Sequence, residues 1–162
     1  MSENKFLPAL TFRPATPADE PSLLALLPYL ADFSIPPQRH PQHLWQGDAA
    51  MAQAVLSGQA DSSFIDVAED SGNQIIGLIM VSLRAELLSC EPSAHLEAIV
   101  VAPQARGLGL GSKLMTHCEH RVRDLGARSL TLHVFARNQR ARGLYAAQGF
   151  DEELLRAIKW LD

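Results

Sequence analysis

The amino-acid sequence predicts an α/β fold built on a sheet of mixed strand direction. Three features predict it. β-rich runs and helix-periodic segments follow one another along the chain. A hairpin signature in the first half calls for antiparallel neighbours. A strand–helix–strand run in the second half calls for a parallel crossover.

The elements follow in order. Leu10 to Arg13 alternates apolar and polar residues, as a short strand does, and Pro14 to Pro17 ends it. Thr16 or Asp19 can cap the next helix, where Leu23, Leu24, Leu27 and Leu30 recur at helical spacing. Pro28 leaves its end open. From Ala31 to Asp48 the prolines Pro36, Pro37 and Pro41 break regular structure, giving either an irregular connector or a substrate-facing loop. Ala49 to Leu56 reads as a helix closed by Gly58. Ser63–Ala68 and Ile75–Leu83 are strands joined by Asp70-Ser71-Gly72-Asn73, and Ala94–Val101 is a third. Leu110 to Leu125 is a helix with Leu110, Leu114, Cys118 and Val122 four apart. Leu130–Phe135 reads as a buried strand, Gln139–Gln148 as a helix stopped by Gly149, and Ile158–Leu161 as a last strand.

The 162 residues suit an N-terminal extension at 1–9 and a single domain over 10–162. No apolar run reaches the roughly 18 residues that span a bilayer. Met1 to Leu10 lacks the basic-then-apolar order of a signal peptide, so the expected location is cytoplasmic. Cys90 and Cys118 make neither a C-x-x-C pair nor a disulfide framework. A net charge of −4 disfavours a nucleic-acid partner and suits, weakly, a cationic substrate.

The stretch Arg106-Gly107-Leu108-Gly109-Leu110-Gly111-Ser112 joins a strand to a helix. Glycines tolerate positive φ, so successive amides can converge on one anion at a helix N-terminus. The dinucleotide fingerprint fails, because Ser112 or Leu114 stands where its third glycine belongs. The P-loop fails too, since Gly111-Ser112-Lys113 has the wrong order. Alone, the turn says only that a phosphate group can sit there.

A second pattern lies downstream: Asn138, Ala141, Leu144-Tyr145 and Gly149-Phe150. With both in hand, the sequence resembles the GCN5-related N-acetyltransferase superfamily. The first signature of that family, Gln/Arg-x-x-Gly-x-Gly/Ala, is filled by Arg106, Gly109 and Gly111, with Val101 and Pro103 upstream. The second runs Asn-x-x-Ala, then an apolar residue and Tyr, then Gly-Phe. The likeness covers Phe12 to the C-terminus in element order and is sharp from Leu96 to Phe150.

The resemblance implies a mostly antiparallel central sheet with a splayed parallel strand pair and flanking helices. It implies acetyl-CoA as co-substrate; no metal is expected, because His117 and His120 share a helix face but no third ligand is evident. Backbone amides of Arg106, Gly107, Leu108, Gly109, Leu110, Gly111 and Ser112 are then the pyrophosphate cradle. The backbone of Ile99, Val100 and Val101 would pair with the pantetheine arm like an added strand, and Asn138 would hydrogen-bond the coenzyme.

Acetyl transfer to an amine needs a base, because an ammonium titrates near 10.4, and an acid for the departing thiolate. Glu97 is the candidate base: it is an acid inside an apolar strand, in a Leu-Glu context found in polyamine-acetylating relatives. His95, two residues away, is the reserve. Tyr145 is the candidate acid, by its place in the second signature. His117 and His120 read as exposed helix residues, and His133 as a core residue. Arg137, Arg140 and Arg142 either meet coenzyme phosphates or form a solvated face. The expected acceptor is a primary amine of a small molecule (polyamine-like or amino-acid) or of a protein, and a homodimer fits the family. The rival expectation is a non-catalytic acyl-CoA-binding module, which needs the cradle but neither Glu97 nor Tyr145.

Overall fold

Five strands lie side by side in the order β1-β2-β3-β4-β5 in the computed structural model, which describes residues 9–161. Most of the proposed N-terminal extension and the leader expectation fall outside them. β1 (Thr11–Pro14), β2 (Ser63–Glu69), β3 (Ile75–Ala85) and β4 (Pro92–Val101) are antiparallel, and β5 (Leu130–Leu132) runs parallel to β4. The helices are α1 (Glu20–Leu26), α2 (Gln46–Leu56), α3 (Leu110–Asp124) and α4 (Gln139–Ala147). This is the mixed sheet with flanking helices that the sequence predicts. No helix of the described residues is long and apolar enough to cross a membrane.

The local signals act as expected in most places. Asp19 opens α1, accepting from the Thr16 N–H at 2.7 Å and from both arms of the Arg13 guanidinium. Arg13 also reaches Glu69 at 2.6 Å, so one guanidinium ties β1, β2 and the start of α1 together. The hydrogen bonds from Arg13 to Asp19, above all, pull the Asp19 carboxyl down to about 2. Pro28 does not stop the helix but changes it. The last turn, Leu27–Ala31, is a 3-10 helix in which the proline sits where no N–H is needed. Asp70 Oδ1 accepts from the N–H groups of Gly72 and Gln74, which fixes the β2–β3 turn.

α3 packs on β3 and β4 with Leu110, Leu114, Met115, Cys118 and Val122 buried, so the four-residue spacing was a core stripe. Gly77 on β3 makes the approach possible. A Cβ there would lie 2.9 Å from Leu114 Cδ1 and 3.2 Å from the Val100 carbonyl oxygen. Burial pushes the Cys118 thiol up to about 12, while Cys90 lies exposed in a surface turn with φ of 59°.

Three expectations need correction. α2 starts at Gln46, not Ala49, and so takes in Asp48. β5 spans three half-buried residues instead of a buried run to Phe135. No last strand forms over Ile158–Leu161: residues 151–161 run exposed with no regular element. A strand needs a neighbouring edge for its backbone groups, and the tail meets none among the described residues.

Candidate active site

The short β5 is what opens the site. Pairing between β4 and β5 is limited to Ala94↔Leu130, His95↔Thr131 and Leu96↔Leu132. Beyond that point the parallel strands part. β4 continues to Val101 along β3, and its other edge faces no strand from Glu97 onward. A β-bulge falls at the same level. Val81 pairs with Leu96 and Met80 with Ala98, so Glu97 is the extra residue and has no partner across. Bulges re-aim side chains and end pairing. Together the fork and the bulge open a cleft of about 450 Å³ along the free edge of β4.

The glycine-rich turn forms one end of this cleft. Gly107 and Gly109 have φ of 75° and 80°, values that side-chain-bearing residues adopt at a cost. A Cβ on either would meet nothing within 4 Å, so it is the positive φ and not crowding that calls for glycine at both positions. The first bond inside α3 is Lys113 N–H to Gly109 O at 3.2 Å. The amides of Leu110, Gly111 and Ser112 are therefore left without helical acceptors. Gly111 serves packing instead, since a Cβ there would stand 3.3 Å from Leu144 of α4. Arg106 is held by the Val101 carbonyl and by Asp32, at 3.2 and 2.5 Å, with its guanidinium over the Tyr29 ring. Free amides, a helix N-terminus and a guanidinium fit a diphosphate. The unpaired edge over Ile99, Val100 and Val101 fits an extended amide-bearing arm.

Of the cradle residues expected from the sequence, Leu108 alone does not line the cleft. Asn138 caps α4, its Oδ1 accepting from the Ala141 N–H at 3.1 Å, which leaves its NH₂ for the cleft. Glu97 and Tyr145 both line the wall. The Glu97 carboxylate is 3.7 Å from Arg84, and its side chain keeps about a fifth of its surface exposed, 22%. Burial pushes the Tyr145 phenol up to about 12, so it stays protonated at neutral pH.

His95 does not line the cleft. The two-residue period linking it to Glu97 does not carry across a bulge. Its Nδ1 lies 2.7 Å from Thr131 Oγ1 and its ring meets His133 edge-on. Burial, with the nearby Arg84 cation, holds it down at about 4, a neutral imidazole. His133, expected in the core, is exposed and lines the cleft, because β5 ends one residue before it. His117 is no free surface group: it stacks on Phe12 and its Nε2 lies 2.7 Å from the buried Asp66, which Arg121 also binds. Of the arginine cluster, Arg140 reaches the cleft, whereas Arg142 pairs with Glu152.

Asp48 went unnoticed in the sequence. It lines the cleft from α2, half-buried, and neither donates to nor accepts from any described residue's side chain. Burial, then the charge of Glu97, raise its carboxyl to about 6. In the sequence it is one acid at the end of a proline-rich stretch, and no spacing marks it.

Comparison with known proteins agrees with this fold. The model of the acetyltransferase (GNAT) family matches residues 25–150. The chain is 30% identical over 108 residues to the uncharacterized N-acetyltransferase YhfO of Bacillus subtilis (strain 168), covering 65% of this chain and 72% of that protein. It is 36% identical over 100 residues to the 5-NmdU N-acetyltransferase of Pseudomonas phage PaMx11, covering 60% and 66%. Among solved structures, the aminoglycoside 6'-N-acetyltransferase AAC(6')-Ih of Acinetobacter baumannii superposes with a TM-score of 0.72 at 20% identity, over 95% of this chain and 99% of that one. The aminoglycoside N-acetyltransferase AAC(6')-Iy, solved with CoA, superposes equally well, with a TM-score of 0.72 at 23% identity over 95% of both chains.

Proposed function

Because the chain belongs to the acetyltransferase (GNAT) family, we propose that it moves the acetyl group of acetyl-CoA to a primary amine by direct attack in a ternary complex. One observation carries this proposal. A single cleft runs from the glycine turn, along the free edge of β4, to Glu97 and Tyr145.

The cradle amides and Arg106 hold the diphosphate. Ile99, Val100 and Val101 offer backbone groups to the pantetheine arm, and the NH₂ of Asn138 adds a donor. Acetyl-CoA supplies an activated acyl group as a thioester. Glu97, directly or through water, takes the proton that an ammonium must lose before its nitrogen can attack the thioester carbonyl carbon. A new C–N bond forms, negative charge builds on the carbonyl oxygen, and backbone N–H groups of the fork can stabilise it. The C–S bond then breaks, the nitrogen passes its second proton to solvent water, and the departing thiolate takes up a proton in turn. Tyr145 hydrogen-bonds the departing sulfur. With its buried phenol near 12 and a free thiol near 8.5, full proton transfer between these values is uphill by about three to four powers of ten. The same burial raises the thiol, so the two values converge in the cleft. Glu97 and Tyr145 need no metal in these steps.

A small cationic amine is the acceptor we favour over a protein amine, on the two carboxyl groups in the cleft wall. A cytoplasmic homodimer belongs to the same proposal. Exposed Leu154, Leu155, Ile158 and Leu161 in the tail support the dimer, as apolar surface of this kind marks interfaces.

The test is CoA release from acetyl-CoA across a panel of primary amines, beside calorimetric titration of CoA. Amine-dependent release supports the enzyme. Tight CoA binding with no release for any amine would make the chain an acyl-CoA-binding module instead.

A further inference from the structure

We infer that Asp48 is a specificity-determining residue that holds a second positive charge of the acceptor, so that the acceptor is a diamine or a larger polycation. This rests on the acetyltransferase proposal and deepens it.

The cleft is electrically two-ended. Arg106, Arg140 and the N-terminus of α3 stand at the cradle end, where Asp32 pairs with Arg106 and leaves the balance positive. Asp48 and Glu97 stand in the same cleft with one cation near them, Arg84, at 3.7 Å from Glu97. No ion pair and no hydrogen bond reaches the Asp48 carboxylate among the described residues, although most of its surface is covered. Half-buried carboxylates are ordinarily paired. The charge that bears on Asp48 from another element is Glu97 of β4, which repels it, while His133 lines the same cleft past the end of β5. His95 behind the wall is neutral. The missing partner is a cation, and the cleft leaves room for one to come with the substrate.

Why a second charge? The reacting nitrogen must give up its proton to attack, and with it the charge that Asp48 would hold. An ion pair that lasts through the reaction has to involve another group of the acceptor. Two carboxyl groups on different elements, α2 and β4, suit that division. Glu97 sits at the fork, where the thioester belongs, and Asp48 answers the part of the acceptor that does not react. An acceptor bearing a carboxylate would meet repulsion instead. Cation binding also favours the ionised form of Asp48. The acceptor's KM should therefore rise as pH falls through about 6.

The experiment compares 1,4-diaminobutane, butylamine and 4-aminobutanoate as acceptors, for wild type, Asp48→Asn and Asp48→Glu, with CoA affinity measured in each. The expected wild-type order in kcat/KM is diamine, then butylamine, then aminobutanoate, with about a tenfold step for one charged contact. Asp48→Asn should bring the diamine-to-butylamine ratio close to one, through KM and with unchanged CoA affinity. Asp48→Glu should restore much of the ratio. In wild type the diamine KM should climb below pH 6, and more than that of butylamine. If Asp48→Asn loses CoA binding and so has misfolded, the wild-type order and its pH dependence decide. Equal turnover of all three amines, or a ratio unchanged in Asp48→Asn, overturns the inference and leaves the acetyltransferase standing. No turnover of any amine overturns both.

Discussion

Glu97 and Tyr145 are given different tasks, and substitutions separate them. Tyr145→Phe removes one hydroxyl from a buried ring and leaves its contact with Phe150. We expect kcat to fall roughly 100-fold, a common size for a general acid or base, with CoA affinity unchanged by calorimetry. Glu97→Gln should lose as much in kcat, again with CoA affinity unchanged. Unaltered kcat in either variant removes that residue from the mechanism. The two aspartates shape stability instead. Asp19, held down at about 2, contributes stability that is complete above its ordinary value of 3.8 and lost as pH falls towards 2. Asp48 has the opposite sign. Its folded value near 6 lies above 3.8, so ionising it weakens the native state as pH rises between the two. Urea midpoints across pH 2 to 7 should show Asp19→Asn less stable at neutral pH and Asp48→Asn more stable. Glu97 was legible in the sequence because an acid inside Leu96–Val101 breaks an apolar run. Asp48 was not, because its meaning comes from what α2 is packed against.

At the scale of elements, glycines do two separate jobs around α3. Gly109 bends the cradle, and its cost on substitution is conformational: roughly 1–2 kcal/mol for a left-handed alanine. Gly77 admits the helix to the sheet, and an added methyl meets Leu114 and a backbone carbonyl. Gly77→Ala should destabilise by about 1–3 kcal/mol, read from denaturant midpoints, while the folded fraction binds CoA normally. Gly109→Ala should weaken CoA binding by at least as much as it destabilises. Equal effects of the two variants on CoA affinity would erase the distinction. The sequence located α3 and the glycine turn before it, since periodicity and glycine spacing are local properties. It overran β5, because Leu130 to Phe135 carries one continuous β-forming signal and nothing local marks the parting of two strands. It also proposed a strand at Ile158–Leu161 for a segment that finds no edge to join. The bulge at Glu97 was invisible for the same reason: it is a property of the β3–β4 register.

Over the whole molecule, binding and folding are linked. The cleft joins α2, β4, α3 and α4, so a ligand that fills it holds four elements at once. CoA at 100 times its dissociation constant should add about 2.7 kcal/mol to unfolding and raise Tm by several degrees. The tail offers a second linkage. If its apolar residues meet a second copy, Tm should also rise with protein concentration and light scattering should give twice the chain mass. Monomer mass at high concentration, with Tm independent of it, would set the homodimer aside.

The contrast between the two cysteines reaches beyond stability. Cys90 is exposed, and Cys118 is sealed on the inner face of α3 against the sheet with its thiol near 12. A disulfide dye that reports released CoA by colour will therefore also react with the native protein itself, once per chain and not twice. That single stoichiometric offset is a ready count of folded molecules, and the second sulfur answers the dye only when the helix lifts from the sheet.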